Sequence, residues 1–241
     1  MQALLSGQGL VKSFGRLRAV DGVDIAVHPG EALGIVGPNG AGKTTLFGAL
    51  AGAFPLSAGT IRLDGAAITA LPAARRCALG IARTHQIPRP FLGLSVFENV
   101  QVAARAGGAL DADASVGTAA RILSRTGLHD LANRPAGALG RLDRKRLELA
   151  RALATQPRVL LLDEIGGGLT EAELEQLVAL ILGLKAQGLT IVWIEHILHA
   201  LLQVIDRLVC MAQGRVLAEG APQTVMADAQ VRAAYLGSDP E

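Results

Sequence analysis

The sequence predicts an α/β fold built on a mostly parallel β-sheet with helices on both faces. A short apolar run, "EALGIVG" (31–37), passes through a glycine-rich loop into the helical pattern "KTTLFGALAG" (43–52). Two further runs, "RVLLLDE" (158–164) and "LTIVWIEH" (189–196), are apolar without alternation, as in strands buried on both faces. Between them Leu174, Leu177, Val178, Ile181 and Leu184 fall on one face of a helix. Strands that alternate with helices imply a parallel sheet.

The remaining elements fit around that core. "TIRLDG" (60–65) reads as a strand and turn, and "RLVCMAQGRVLAEG" (207–220) as a hairpin turning at Gln213-Gly214. Residues 88–150 differ. Helix signals dominate there, around the small-residue stretch "RAGGALDADASVG" (105–117). This part is expected to be a helical subdomain inserted into an α/β core formed by approximately 1–87 and 151–241. The chain of 241 residues is long enough for a sizeable core, and with only 3% aromatic residues that core is aliphatic. A net charge of +2 gives no footprint for nucleic acid. The opening "MQALLSGQGLVKSF" holds no signal-peptide segment, and no apolar run approaches the ~18 residues that span a bilayer. Cys77 and Cys210 lie far apart without metal-ligand spacing and are expected to be reduced.

The strongest chemical pattern is "GPNGAGKTT": Gly37, Pro38, Asn39, Gly40, Ala41, Gly42, Lys43, Thr44 and Thr45. In its strand–loop–helix setting it reads as a P-loop. Glycines let backbone N–H groups turn toward phosphates, and the helix that follows offers them its positive end. Lys43 reaches the terminal phosphates, and the Thr44 hydroxyl is suited to Mg²⁺. Asp163 and Glu164 close the second buried strand. Asp163 can hold the Mg²⁺ shell, and Glu164 can orient and deprotonate an attacking water. Taken singly, His196, Gln86 and Phe14 are weaker signals. A histidine or glutamine after a strand is usually a surface residue, and Phe14 serves equally as core filler.

Their order along the chain carries more. Phe14, the P-loop, Gln86, the "ARAL" helix, Asp163-Glu164 and His196 together resemble the nucleotide-binding subunit of ABC transporters, over essentially the whole chain. Within that family the chain is most similar to the ATPases of branched-chain amino-acid uptake systems. The residues responsible are "FGRLRAVDGVDIAVHPGEALGIVGPNGAGKTTLF", "GIARTHQIPRPFLGLSVFENV", "KRLELARALATQPRVLLLDE" and "GRVLAEGAPQTVMADAQVRAAYLG". The resemblance implies the ABC ATPase fold, with an antiparallel β part beside the core. It implies that ATP and Mg²⁺ bind. Phe14 would stack on the adenine and Val20 would join the nucleotide-binding residues, while Gln86 would be the Q-loop glutamine, shared between Mg²⁺ and the attacking water. Glu164 would be the catalytic base and His196 the switch histidine. It further implies a cytoplasmic subunit, peripheral on the inner face of the membrane. Its partners would be integral membrane permease subunits, a second ATPase subunit and, indirectly, a secreted solute-binding protein. Pro88, Pro90, Phe91 and Leu92 would line the groove for the permease coupling helices. A lipopolysaccharide-export ATPase and a soluble ABC ATPase share the same motifs and are the alternatives.

One stretch departs from the family. The signature Leu-Ser-Gly-Gly-Gln falls here on Leu139, Gly140, Arg141, Leu142 and Asp143, so only the leucine matches. In the family this segment caps the ATP held by the other subunit of a head-to-tail dimer. Arg141, Arg144 and Lys145 are placed to supply positive charge in its stead. Ile165 stands where the family has proline, and Thr170 where it has aspartate. A dimer with a different ATPase chain is therefore expected in preference to a homodimer.

Overall fold

The computed structural model of the chain describes residues 2–236. Two strands, β1 (Leu5–Phe14) and β2 (Leu17–Val27), precede β3 (Ala32–Val36) and helix α1 (Lys43–Ala51). Next come β4 (Ala58–Leu63), β5 (Ala66–Ala67), α2 (Ala73–Ala78) and β6 (Ile81–Arg83). Three helices follow, α3 (Val96–Ala106), α4 (Ala112–Arg125) and α5 (Arg141–Ala154), which pack on one another. The chain then returns through β7 (Val159–Asp163), α6 (Glu171–Ala186), β8 (Thr190–Ile194) and α7 (Leu198–Leu202). It closes with β9 (Arg207–Ala212), β10 (Arg215–Gly220), α8 (Pro222–Ala227) and α9 (Ala229–Leu236). Gly237, which ends the quoted C-terminal stretch, lies outside the described residues.

The larger sheet runs in the order β10-β9-β3-β8-β7-β6. Its strands are parallel except for β10, which forms the predicted hairpin with β9. Gln213 and Gly214 both have positive φ, 49° and 78°, as a two-residue hairpin turn requires. The smaller sheet, β2-β1-β4-β5, is antiparallel.

The period-2 alternation of a strand explains the layers. On β7 and β8 one set of side chains, Val159, Leu161, Val192 and Ile194, faces α1 and the antiparallel sheet. The other set, Leu160, Leu162, Ile191 and Trp193, faces the helices, including the predicted stripe of α6. All of these are buried, which is why the two runs read as apolar without alternation. Arg76 of α2 is an exception among buried side chains. At 1% exposure its guanidinium donates to Ala49 O and Leu50 O at the end of α1, and to Leu71 O and Thr69 O. It thereby satisfies carbonyls that the terminus of α1 leaves open.

Candidate active site

The P-loop conformation follows from its glycines. Gly37 has φ 146°, and a Cβ there would lie 2.1 Å from Met211 O. Gly42 caps α1 with φ 96°, and a Cβ there would lie 2.2 Å from Ala19 O. Neither position admits a side chain. No side chain caps the first turn of α1, and that turn carries no acid, so its N–H groups remain available to an anion. Asn39, Gly40 and Thr44 are exposed, Pro38, Gly42 and Thr45 half-buried, and Ala41 buried. Lys43 is buried, with Nζ donating to Gly37 O at 2.6 Å and Pro38 O at 3.0 Å. Burial holds its pKa below the ordinary lysine value, while Glu164, Cys210 and Asp163 pull the other way.

The acids follow from strand parity. Asp163 continues the set of Val159 and Leu161, so its side chain falls on the α1 side of the sheet. Its Oδ2 accepts from Arg83 at 2.6 Å. Its Oδ1 is buried and, among the described residues, has no hydrogen-bond partner. A buried carboxylate oxygen left open suits a hydrated divalent cation shared with Thr44 and nucleotide phosphates. No group of three or more His, Cys, Asp or Glu side chains that could hold a metal ion occurs among the described residues.

At Glu164 the chain leaves the strand with φ 47°. A non-glycine residue holds that conformation at a cost on the order of 1–3 kcal/mol. The turn releases the side chain from strand alternation. Glu164 Oε2 accepts from Gln86 Nε2 at 2.5 Å, and Oε1 lies 2.6 Å from His196 Nε2. Gln86 follows β6 and His196 follows β8, so both reach Glu164 from loops at the carboxyl edge of the sheet, where β3 also delivers the P-loop.

Two residues expected to bind the nucleotide, Phe14 and Val20, differ in exposure. Phe14 is 49% exposed, with its edge against Phe54 and Lys12 Nζ 4.8 Å from its ring centre. Val20 is a correction: it has no exposed surface and lies in the core between the sheets, so it offers nothing to a ligand.

The signature region lies at the start of α5. Leu139 is buried, Gly140 caps α5, and Arg141, Leu142 and Asp143 form its first turn. None of the three cations is free. Arg141 donates to Gly168 O, and Arg144 to Leu139 O and Gly137 O. Lys145 is buried, donating 2.7 Å to Gln86 O. The two loop departures have local reasons: Ile165 is 1% exposed in the core, and Thr170 forms a capping box with Glu173 at the start of α6.

Sequence reasoning missed Arg83 on Asp163, and it missed Glu195. Glu195 is 2% exposed and accepts from Gly166 N at 2.9 Å and His196 N at 3.0 Å. It therefore fixes the backbone on both sides of the Glu164–His196 contact. The available signal was a carboxylate placed directly after an apolar run, where a buried charge demands partners.

Comparison with known proteins agrees with this geometry. Residues 20–166 match the family described as ABC transporter, and residues 215–241 match branched-chain amino acid ATP-binding cassette transporter. The chain is 36% identical over 249 residues to the high-affinity branched-chain amino acid transport ATP-binding protein BraF of Pseudomonas aeruginosa, covering 97% of this chain and 98% of that one. It is 38% identical over 251 residues to the like-named LivG of Escherichia coli, covering 98% of each. Among solved structures, a nucleotide-free ATP-binding cassette from an ABC transporter superposes with TM-score 0.88 at 31% identity, covering 97% of this chain and 99% of that one. The ADP conformation of MJ1267, an ATP-binding cassette of an ABC transporter, superposes with TM-score 0.88 at 32% identity, covering 98% of this chain and 100% of that one.

Proposed function

The chain belongs to the ABC transporter family of ATP-binding proteins and is an ATPase, and on that premise we propose that it drives uptake of branched-chain amino acids or related small polar solutes. The observation that carries the site reading is the meeting of Gln86, Glu164 and His196 at the sheet edge that presents the P-loop. The N–H groups of residues 37–45 and the Lys43 ammonium hold the phosphates, and Phe14 stacks on the base. Mg²⁺, bound by Thr44 with Asp163 and Gln86, would neutralise phosphate charge. Glu164 takes the proton of the attacking water, and His196 and Gln86 fix that carboxylate in place. Residues 88–150 act as a helical subdomain that moves against the core.

Among the described residues no helix is long and apolar enough to cross a membrane, so transport requires permease subunits. Docking is supported by the exposed side chains of Ile87, Phe91 and Leu92, at 75%, 49% and 59%. Beside them a cavity of about 310 Å³ is lined by Cys77, Arg83, His85, Arg89 and Arg151. On this reading the protein works at the inner face of the membrane, as one of two unlike ATPase subunits in a system with a secreted solute-binding protein.

The test is co-expression with the neighbouring permease, second ATPase and binding-protein genes, followed by ATP-dependent uptake of labelled leucine, isoleucine and valine. Lys43→Ala should abolish nucleotide binding and uptake. Uptake of another solute class alone would overturn the solute; unchanged ATP binding by Lys43→Ala would overturn the site.

A further inference from the structure

After Thr84 N, which still donates to Leu161 O of β7 at 2.9 Å, the Q-loop from His85 to Phe91 forms no regular element, so its backbone polar groups need partners elsewhere. Much of that demand is met by one face of α5. Lys145 and Glu148, three residues apart, are 6% and 5% exposed. Lys145 Nζ donates to Gln86 O at 2.7 Å. Glu148 Oε1 accepts from His85 N at 3.2 Å and lies 2.8 Å from His85 Nδ1. Glu148 Oε2 accepts from Arg89 N at 3.2 Å. Arg151 then donates to Arg89 O at 2.6 Å and to Glu148 Oε2 at 3.2 Å.

Burying these two charges is not a route to stability. Apolar residues of similar volume fill such a place at lower desolvation cost. What charges add is direction: each accepts only a narrow set of partner positions. Here those positions lie in the loop on both sides of the Gln86 side chain, whose amide meets Glu164. The same helix begins at the signature, where Arg141 holds Gly168 O in the loop that follows Glu164. A displacement of α5 therefore displaces Gln86.

We propose that Lys145 and Glu148 are positioning residues for Gln86, holding the Q-loop backbone so that movement of the signature helix reaches the Glu164 carboxylate. The proposal rests on the role given to Gln86 under the proposed function.

A double-mutant cycle tests it, using ATP affinity and single-turnover hydrolysis of the chain, alone and with its ATPase partner. Lys145→Met removes the donor and keeps the volume. It should lower turnover roughly tenfold while ATP affinity stays within about twofold. Lys145→Arg keeps a donor and should restore most of the rate. Combined with Gln86→Ala, Lys145→Met should cost nothing further, because it acts through Gln86. A second readout needs no nucleotide: in Glu148→Gln, hydrogen exchange at the His85 and Arg89 amides should quicken about tenfold or more, while amides inside α5 stay protected. Additive losses in the double variant, or an arginine variant as slow as the methionine one, would overturn the positioning role. So would unchanged exchange at both amides. If Gln86→Ala itself turns over at the wild-type rate, the role of Gln86 falls and the proposal with it, a distinct outcome from the others.

Discussion

Glu164 Oε1 lies 2.6 Å from His196 Nε2, across the ends of two strands that run in parallel register, Asp163 opposite Ile194. The pair is thus set by sheet register on one side and by the left-handed turn at Glu164 on the other. Glu164→Gln should keep ATP binding and stop turnover. His196→Ala should lose at least ~10-fold in rate and retain binding, as expected for a lost acid–base or charge-stabilising contact. Steady-state hydrolysis with parallel nucleotide titrations reads both. A glutamine variant near the wild-type rate removes Glu164 from the role of base.

In the proposed dimer with a second ATPase, the altered signature is expected to make the two ATP sites unequal. Arg141 donates to Gly168 O within its own chain, and Gly140 supplies no hydroxyl toward a partner's nucleotide. A lost charge-assisted contact costs ~1.5–3 kcal/mol, roughly 10- to 150-fold in the equilibrium it serves. The chain alone should therefore hydrolyse ATP more slowly than with its second ATPase. Restoring Ser at Gly140 and Gly at Arg141 and Leu142 should raise the isolated rate. Equal rates before and after restoration would show that this segment does not limit turnover.

Phe91→Asp or Leu92→Asp should weaken co-purification with the permease subunits and leave basal ATP hydrolysis within about twofold, because both side chains are exposed and distant in role from the phosphates. Intact co-purification and uptake would place the docking surface elsewhere.

Arg76→Ala should destabilise the fold by about 3 kcal/mol. It removes a charged donor from several carbonyls at a buried site, including the end of α1. In a chain of this length that corresponds to a fall of roughly 6–12 °C in Tm, read by calorimetry. A change under about 1 kcal/mol would mean that water reaches those carbonyls.

Cys210 is fully buried, and burial pushes its thiol up to about 11 against the pull of nearby Lys43. At pH 8 about one such thiol in a thousand is ionised, and only the thiolate is the nucleophile. An alkylating reagent at pH 8 should therefore label the half-buried Cys77 in native protein and reach Cys210 only after unfolding. Equal labelling of both in native protein would contradict the placement of β9.

The sequence by itself determined the elements whose cause is local. The P-loop was legible because a Cβ at Gly37 or Gly42 would fall about 2 Å from a backbone oxygen, and only glycine avoids that clash. The buried strands and the α6 stripe were legible because burial on two faces or one writes a distinct period into the chain. The hairpin at Gln213-Gly214 was legible for the same kind of reason. Gln86, Glu164 and His196 could be named only by their order, since nothing in a lone glutamine or histidine says where it points. Tertiary structure decided that they meet, because their strands lie side by side only once the sheet is assembled. It also decided the fate of charges. In "RLDRKRLELAR" a solvated face, a partner's phosphate and a buried loop clamp demand the same residue types. Helix rotation and long-range packing alone turn Lys145 and Glu148 inward onto the Q-loop. Val20 shows the converse: a residue expected at the nucleotide became core filler, because the register shift at Gly22 turns it to the same buried face as Val23, Ile25 and Val27.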